Sequence, residues 1–200
     1  MSQGSGTGRL IVLSGPSGSG KSTVIARALA AGDLPIRRSV SVTTRPPRPG
    51  ERNGVDYYFW SPAQFDEALQ NGEFLEWAEI HGHRYGTLKR EVESHLRQGY
   101  SVLLEIDVQG AQQIRQQFPE VTTIFLEAPS LADYERRLRQ RGTEDEASLQ
   151  RRLDIIEREL AHAPQYDLRL VNRDLEQTVA QLRQLLRTII SRSPKAPSGA

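Results

Sequence analysis

Cysteine is absent from this 200-residue chain, which excludes a disulfide scaffold, a thiolate zinc centre and a thiol nucleophile. Nothing in it requires an oxidising compartment. Long apolar runs are missing too: Leu10 to Leu13 and Val102 to Leu104 are among the longest, far short of the roughly 18 residues that a membrane-spanning helix needs. No charged and then apolar leader opens the chain, since Met1 to Gly8 is rich in Gly and Ser, so a cytoplasmic place is the default expectation. Net charge is scarce as well. Lys plus Arg number 26 against 25 Asp plus Glu, a formal +1, so no global field draws the chain to nucleic acid or acidic lipid and any anion site has to be local. Lysine is the rare base, occurring only at Lys21, Lys89 and Lys195.

The chain opens with a strand-like run, Arg9 to Ser14, then the glycine-rich GPSGSGK, then a helical stretch from Ser22 to Ala31 that stops at Gly32. From Pro35 to about Thr87 the pattern turns to short, aromatic, alternating pieces: IRRSVSVTTR, DYYFW, EFLEWAEI and a GHRYG turn, read together as a small strand-rich insertion. Ser61-Pro62-Ala63-Gln64 has capping-box spacing and starts a short helix through Leu69. Leu88 to Gln98 reads as a helix stopped by Gly99. Strand and helix then alternate: SVLLEI, a helix over about Ala111 to Gln117, TTIFLEA, a helix from Leu131 to Arg141, helical spacing from Asp145 to Ala161, a strand at Leu168 to Val171 and a helix from Leu175 to Ile190. Such alternation predicts an α/β fold with a central parallel sheet covered by helices. The two ends, 1–8 and 191–200, read as disordered tails.

Gly15-Pro16-Ser17-Gly18-Ser19-Gly20-Lys21-Ser22 matches G-x-x-x-x-G-K-[ST] without a gap and sits between strand and helix, the context this motif requires. Its glycines let successive N–H groups turn inward around phosphate oxygens, and the following helix adds the positive end of its dipole. Lys21 supplies a point charge for β- and γ-phosphates, and the Ser22 hydroxyl is placed for Mg²⁺. With Thr23 these residues are the expected ATP site. A base-reading N-K-x-D, which a GTPase needs, does not occur.

The second substrate is indicated by the insertion, where Arg37, Arg38, Arg45, Arg48 and Arg52 stand against Glu51 and Asp56, a local net charge of +3. Two arginines three apart in a proline-stiffened loop can hold fork-shaped donors for a phosphate, and Tyr57 and Tyr85 can add hydroxyls. The stretch Ser41-Val-Thr-Thr-Arg45-Pro-Pro-Arg48-Pro-Gly-Glu-Arg-Asn-Gly-Val-Asp-Tyr57 resembles the monophosphate site of the guanylate kinases. The resemblance continues through Glu73-Phe-Leu-Glu76-Trp77, a Tyr85-Gly86-Thr87 turn, Glu105-Ile-Asp107-Val-Gln-Gly110, Arg137-Leu-Arg-Gln-Arg141-Gly142-Thr143 and Val171-Asn172, and so covers about Leu10 to Leu186.

That resemblance implies a P-loop core (9–34, 89–135 and 151–190), a GMP-binding region at 35–88 and a lid at 136–150. It implies Mg²⁺-dependent transfer of the ATP γ-phosphoryl group to GMP or dGMP, with no nucleic acid, membrane or obligate protein partner. The GMP site would comprise Ser41, Arg45, Arg48, Tyr57, Glu76, Tyr85, Thr87 and Glu105. Guanine offers two donors, N1–H and its amine, which one ionised carboxylate accepts together; Glu76 is the candidate, with the Ser41 and Thr87 hydroxyls for O6 or N7. Glu105 stands where the family commonly carries aspartate against guanine. Asp107 closes an apolar run as a Walker-B residue does, acting on Mg²⁺ through water or on Lys21. Arg137 and Arg141, four apart on a predicted helix, with Arg152 on the next, would join Lys21 and Arg45 in neutralising the transferring phosphoryl group. Asn172 would lie near the adenine. Two rivals stay open: a non-catalytic phosphopeptide-binding module of the same fold, and a kinase for another nucleoside monophosphate.

Overall fold

Residues 8–80, 82–140 and 146–191 are described by the computed structural model. Arg141, with Gly142, Thr143 and the centre of the expected lid, lies outside the described residues, as do positions 1–7 and 192–200 of the expected tails.

Strands β1 (Leu10–Ser14), β2 (Ile36–Arg38), β7 (Ser101–Glu105), β8 (Thr122–Glu127) and β9 (Leu168–Val171) form a five-stranded parallel sheet in the order β2-β7-β1-β8-β9. Strands β3 (Val42–Thr43), β4 (Tyr58–Phe59), β5 (Phe74–Ile80) and β6 (His83–Leu88) form a four-stranded sheet in the order β4-β3-β6-β5. The chain makes two compact units, the described parts of Met1–Ile11 with Pro35–Val121 and of Val12–Leu34 with Thr122–Ala200.

The first unit holds the small sheet and the helices α2 (Pro62–Gln70), α3 (Lys89–Arg97) and α4 (Val108–Gln117). One of its core clusters is Val42, Phe65, Ala68, Phe74 and Leu88, with the Phe65 and Phe74 rings stacked at 4.4 Å. The expected capping box starts α2: Gln64 N–H donates to Ser61 Oγ at 3.2 Å and Ser61 N–H to Gln64 Oε1 at 2.9 Å. Three expectations change here. Ile36–Arg38 is not part of the small sheet but pairs in parallel with β7, burying Ile36. Val102, Leu103 and Leu104 are apolar on both faces, as interior parallel strands are. Of the GHRYG segment only Gly82 is a turn residue; His83 to Gly86, with Tyr85-Gly86-Thr87, make up most of β6, antiparallel to β5. Gly86 serves close approach there instead of chain reversal, for a Cβ on it would stand 2.7 Å from the Phe74 ring. Lastly α4 begins at Val108, three residues before the expected Ala111, because the Asp107 carboxylate caps it by accepting from Gly110 N–H at 2.8 Å.

The second unit holds α1 (Lys21–Leu29), α5 (Leu131–Arg139), α6 (Glu146–Leu160) and α7 (Leu175–Ser191). Val24, Ile25 and Ala28 are the buried face of α1, and Val179, Leu182, Leu186 and Ile189 belong to that of α7, both at helical spacing. Ala128, Tyr134, Leu138, Leu149 and Ile156 join α5 and α6 in one cluster. Inside it the Tyr134 hydroxyl accepts from Ala128 N–H at 2.9 Å, and burial pushes its pKa up to about 12.

Candidate active site

In the second unit the loop from Gly15 to Gly20 joins β1 to α1. Gly15 has φ 141° and a Cβ on it would meet Leu126 O at 2.0 Å; Gly20 has φ 96° and its Cβ would meet Asn172 Nδ2 at 2.6 Å. Neither the backbone conformation nor the space admits a side chain at either position. Gly20 leads directly into α1, whose first-turn N–H groups have no intrahelical partners and so suit an anion. Lys21 Nζ donates to Gly15 O at 2.5 Å and to Pro16 O at 3.1 Å, which places the ammonium against the loop. Ser22 and Thr23 open the helix and are exposed.

Three of the expected residues brace this loop from outside. Arg137 Nη1 donates to Gly18 O at 3.1 Å and Ser19 O at 3.2 Å, while its Nη2 donates to Asn172 O at 2.9 Å. Asn172 Nδ2 donates to Ser19 O at 2.8 Å, and Arg152 Nη2 to Ser17 Oγ at 2.9 Å. The Asn172 amide is thus engaged with the loop backbone. The next basic residue, Arg139, is paired with Glu135 and Glu146.

In the first unit the arginine-rich loop is cross-braced by Glu51, which in the sequence alone is no more than an opposing charge. Arg45 Nη2 donates to Glu51 Oε1 at 2.8 Å, Arg48 N–H donates to Glu51 Oε2 at 2.7 Å, and Arg45 Nη1 reaches Pro46 O at 2.7 Å. Arg45 is buried, its guanidinium 5.6 Å from the Tyr57 ring centre, whereas Arg48 is exposed. The Tyr57 and Tyr85 rings meet edge to face at 6.0 Å, and burial, with the Glu105 charge behind it, pushes the Tyr57 phenol up to about 12. Its hydroxyl is a proton donor throughout the physiological range.

Glu76, on β5, is the deepest charged group of this unit, 4% exposed. Thr87, opposite it on β6, donates its hydroxyl to Glu76 Oε1 at 2.6 Å. The Thr87 proton is thus engaged with the Glu76 carboxylate. Burial, reinforced by the Asp107 charge and opposed by the Thr87 hydrogen bond, raises the Glu76 pKa from an ordinary 4.5 to about 7. A raised folded-state value means that the folded chain holds a proton that the unfolded chain releases between pH 4.5 and 7. The contribution to stability is complete below 4.5 and lost as pH rises through about 7. Urea unfolding without nucleotide should show this one group costing up to about 3 kcal/mol between pH 5 and 8, a slope that Glu76→Gln should remove; an unchanged slope in that variant would exclude Glu76 as its source.

Glu105 is joined to Arg38, whose Nη1 lies 3.3 Å from Glu105 Oε2 and whose Nη2 donates to Val55 O at 2.9 Å. Arg38 was visible in the sequence only as local charge. Ser41 anchors β4 by accepting Tyr58 N–H on its carbonyl at 2.9 Å. Among the described residues no cluster of three or more His, Cys, Asp or Glu side chains could hold a metal, and no helix is long and apolar enough to cross a membrane.

Comparison with known proteins bears on both units. The family model described as guanylate kinase matches residues 7–189. The guanylate kinase of Rubrobacter xylanophilus is 48% identical over 185 residues, 92% of this chain and 96% of the relative. That of Mycobacterium bovis is 47% identical over 197 residues, 98% of this chain and 93% of the relative. In backbone the chain is similar to the crystal structure of guanylate kinase from Anaplasma phagocytophilum, with a TM-score of 0.77 at 34% identity, covering 94% of this chain and 89% of that one. With sequence and backbone agreeing almost from end to end, the chain belongs to the guanylate kinase family.

Proposed function

We propose that this chain, an ATP-dependent kinase of GMP, recognises guanine through Glu76 and holds the donor triphosphate on the loop from Gly15 to Ser22. The observation that carries the reading is the buried Glu76 carboxylate: to be ionised it needs donors, and guanine N1–H and its amine supply two on one edge. AMP would present a bare N1 lone pair to the same carboxylate and leave it poorly paired. dGMP, with the same base, is an acceptor as well. Arg45, fixed by Glu51, and Arg48 bind the acceptor phosphate, with the Tyr57 and Tyr85 hydroxyls beside them. Ser41 serves O6 or N7. Arg38 holds Glu105 toward the base and makes up for its extra methylene.

The acceptor phosphate oxygen is already ionised, so no general base is needed. It attacks the γ-phosphorus, the bond to the ADP bridging oxygen breaks, and the negative charge leaves with ADP. Lys21 exchanges the Gly15 and Pro16 carbonyls for phosphate oxygens. Arg137 and Arg141 follow as charge-neutralising groups of a lid at 136–150, joined by Arg152 from the core, with Arg137 giving up loop carbonyls when it engages. Asn172 holds the loop next to the adenine. Ser22 would hold Mg²⁺, with Asp107 acting through water, since such an ion takes few protein donors and keeps phosphate and water as its other ligands. When bound, the ion would offset charge on the β- and γ-oxygens.

With ATP and GMP both present, ADP and GDP should form one for one, and neither should form from ATP alone. ADP released at the same rate without GMP would overturn the reading.

A further inference from the structure

Glycine inside a helix costs roughly 1 kcal/mol relative to alanine, yet Gly110 occupies the third position of α4 with ordinary helical backbone. Its φ is not in the left-handed region, so conformation does not demand glycine. Space does. A Cβ on Gly110 would stand 2.3 Å from Glu76 Oε2, 3.0 Å from Glu76 Cδ and 3.3 Å from Asp107 Oδ1. The obstacle is the carboxylate of the residue proposed to read guanine.

Neither side of this contact is free to yield by moving apart. β5 lies at the edge of its sheet, and α4 supplies the partners that a further strand would have given it. Gln113 Nε2 donates to Trp77 O at 2.7 Å, Trp77 N–H donates to Gln113 Oε1 at 3.2 Å, and Gln117 Nε2 donates to Leu75 O at 2.9 Å. The two glutamines thus grip the backbone on either side of Glu76. Gly110, Gln113 and Gln117 fall on one face of α4, three and four residues apart. Thr87 holds the other carboxylate oxygen, and Gly110 N–H is committed to Asp107. A methyl group at position 110 could be relieved only by turning the Glu76 carboxylate away from its place.

We propose that Gly110 is a positioning residue for guanine recognition: the absence of a side chain there lets Glu76 extend its carboxylate along α4 into the orientation that accepts from the base. The inference rests on the reading of Glu76 given above. It predicts an effect confined to one substrate and dependent on the length of the residue at 76.

The test is a double-mutant cycle on the full chain, read by steady-state kinetics with each nucleotide varied. Gly110→Ala should raise the KM for GMP at least tenfold and leave the KM for ATP within twofold, because the helix itself favours alanine. Glu76→Asp withdraws the carboxylate by one methylene and makes room for the methyl group. Adding Gly110→Ala to Glu76→Asp should therefore change the KM for GMP by less than twofold, and this pair keeps the test readable even if the methyl group destabilises the parent chain. Two results would overturn the proposal: a GMP KM in Gly110→Ala within twofold of wild type, or the same fold-loss from Gly110→Ala in both backgrounds. Glu76→Gln separates the two levels of the argument. If it leaves the GMP KM unchanged, the reading of Glu76 falls and this inference with it; if it raises that KM while Gly110→Ala does not, this inference falls alone.

Discussion

Lys21→Ala should lose turnover by about 10³-fold or more while the chain stays folded, since removing one preorganised donor from a phosphoryl-transfer site costs on that order. The structure gives the reason for expecting retained folding. Lys21 begins α1 and touches the carbonyls of Gly15 and Pro16, whereas the loop is also braced by Arg137, Asn172 and Arg152. The apolar face of α1, Val24, Ile25 and Ala28, is untouched by the change. Circular dichroism and thermal unfolding check the fold, and a coupled assay for ADP checks the rate. A folded variant retaining more than about a tenth of wild-type turnover, a loss below about 1.4 kcal/mol in the barrier, would remove Lys21 from the chemistry.

Glu76→Gln should be strongly damaging to GMP and nearly silent toward ATP. The amide keeps one acceptor for Thr87 or for guanine but turns an NH₂ toward the base's own donors, so the KM for GMP should rise by about 10². The ATP KM should stay within twofold. The pH dependence sharpens the expectation. Because the carboxyl is raised to about 7, it is largely neutral in acid and must lose its proton to accept both guanine donors. GMP binding should therefore strengthen by up to tenfold per pH unit as pH rises toward 7, then level off. The acceptor phosphate titrates nearby, and subtracting the profile of Glu76→Gln isolates the carboxyl, as the phosphate is common to both. Identical profiles in the two chains would mean that Glu76 does not titrate in the binding step.

What could be seen in the sequence beforehand follows from how local each feature is. The phosphate loop is contiguous, and its glycines, lysine and serine declare strand, turn and helix start within a few residues. The capping box at Ser61 and the helical spacing along α6 and α7 are local in the same way, and the elements lie where that spacing puts them. The Asp107 cap is equally local, an acid three residues ahead of Gly110, and it starts α4 before the apolar spacing that points to Ala111. Other features needed a partner remote in sequence. GHRYG and Tyr85-Gly86-Thr87 read as turns, and only the Phe74 ring across the ladder explains Gly86 inside a strand. β2 looked like part of the insertion because its pairing with β7 joins residues more than sixty apart. The role of Glu51 as a brace for two arginines, the Arg38 to Glu105 pair and the grip of Gln113 and Gln117 on β5 are side-chain geometry, which no spacing rule reports.

The central claim is that one buried carboxylate selects the base, and the most direct measurement is kcat/KM for GMP, AMP, CMP and UMP with wild-type chain at saturating ATP and Mg²⁺. A site whose polar groups are left unpaired by the wrong base discriminates by about 10⁴ or more, so GMP should exceed each of the others by that factor. AMP used within tenfold of GMP would contradict the account, whatever the variants show.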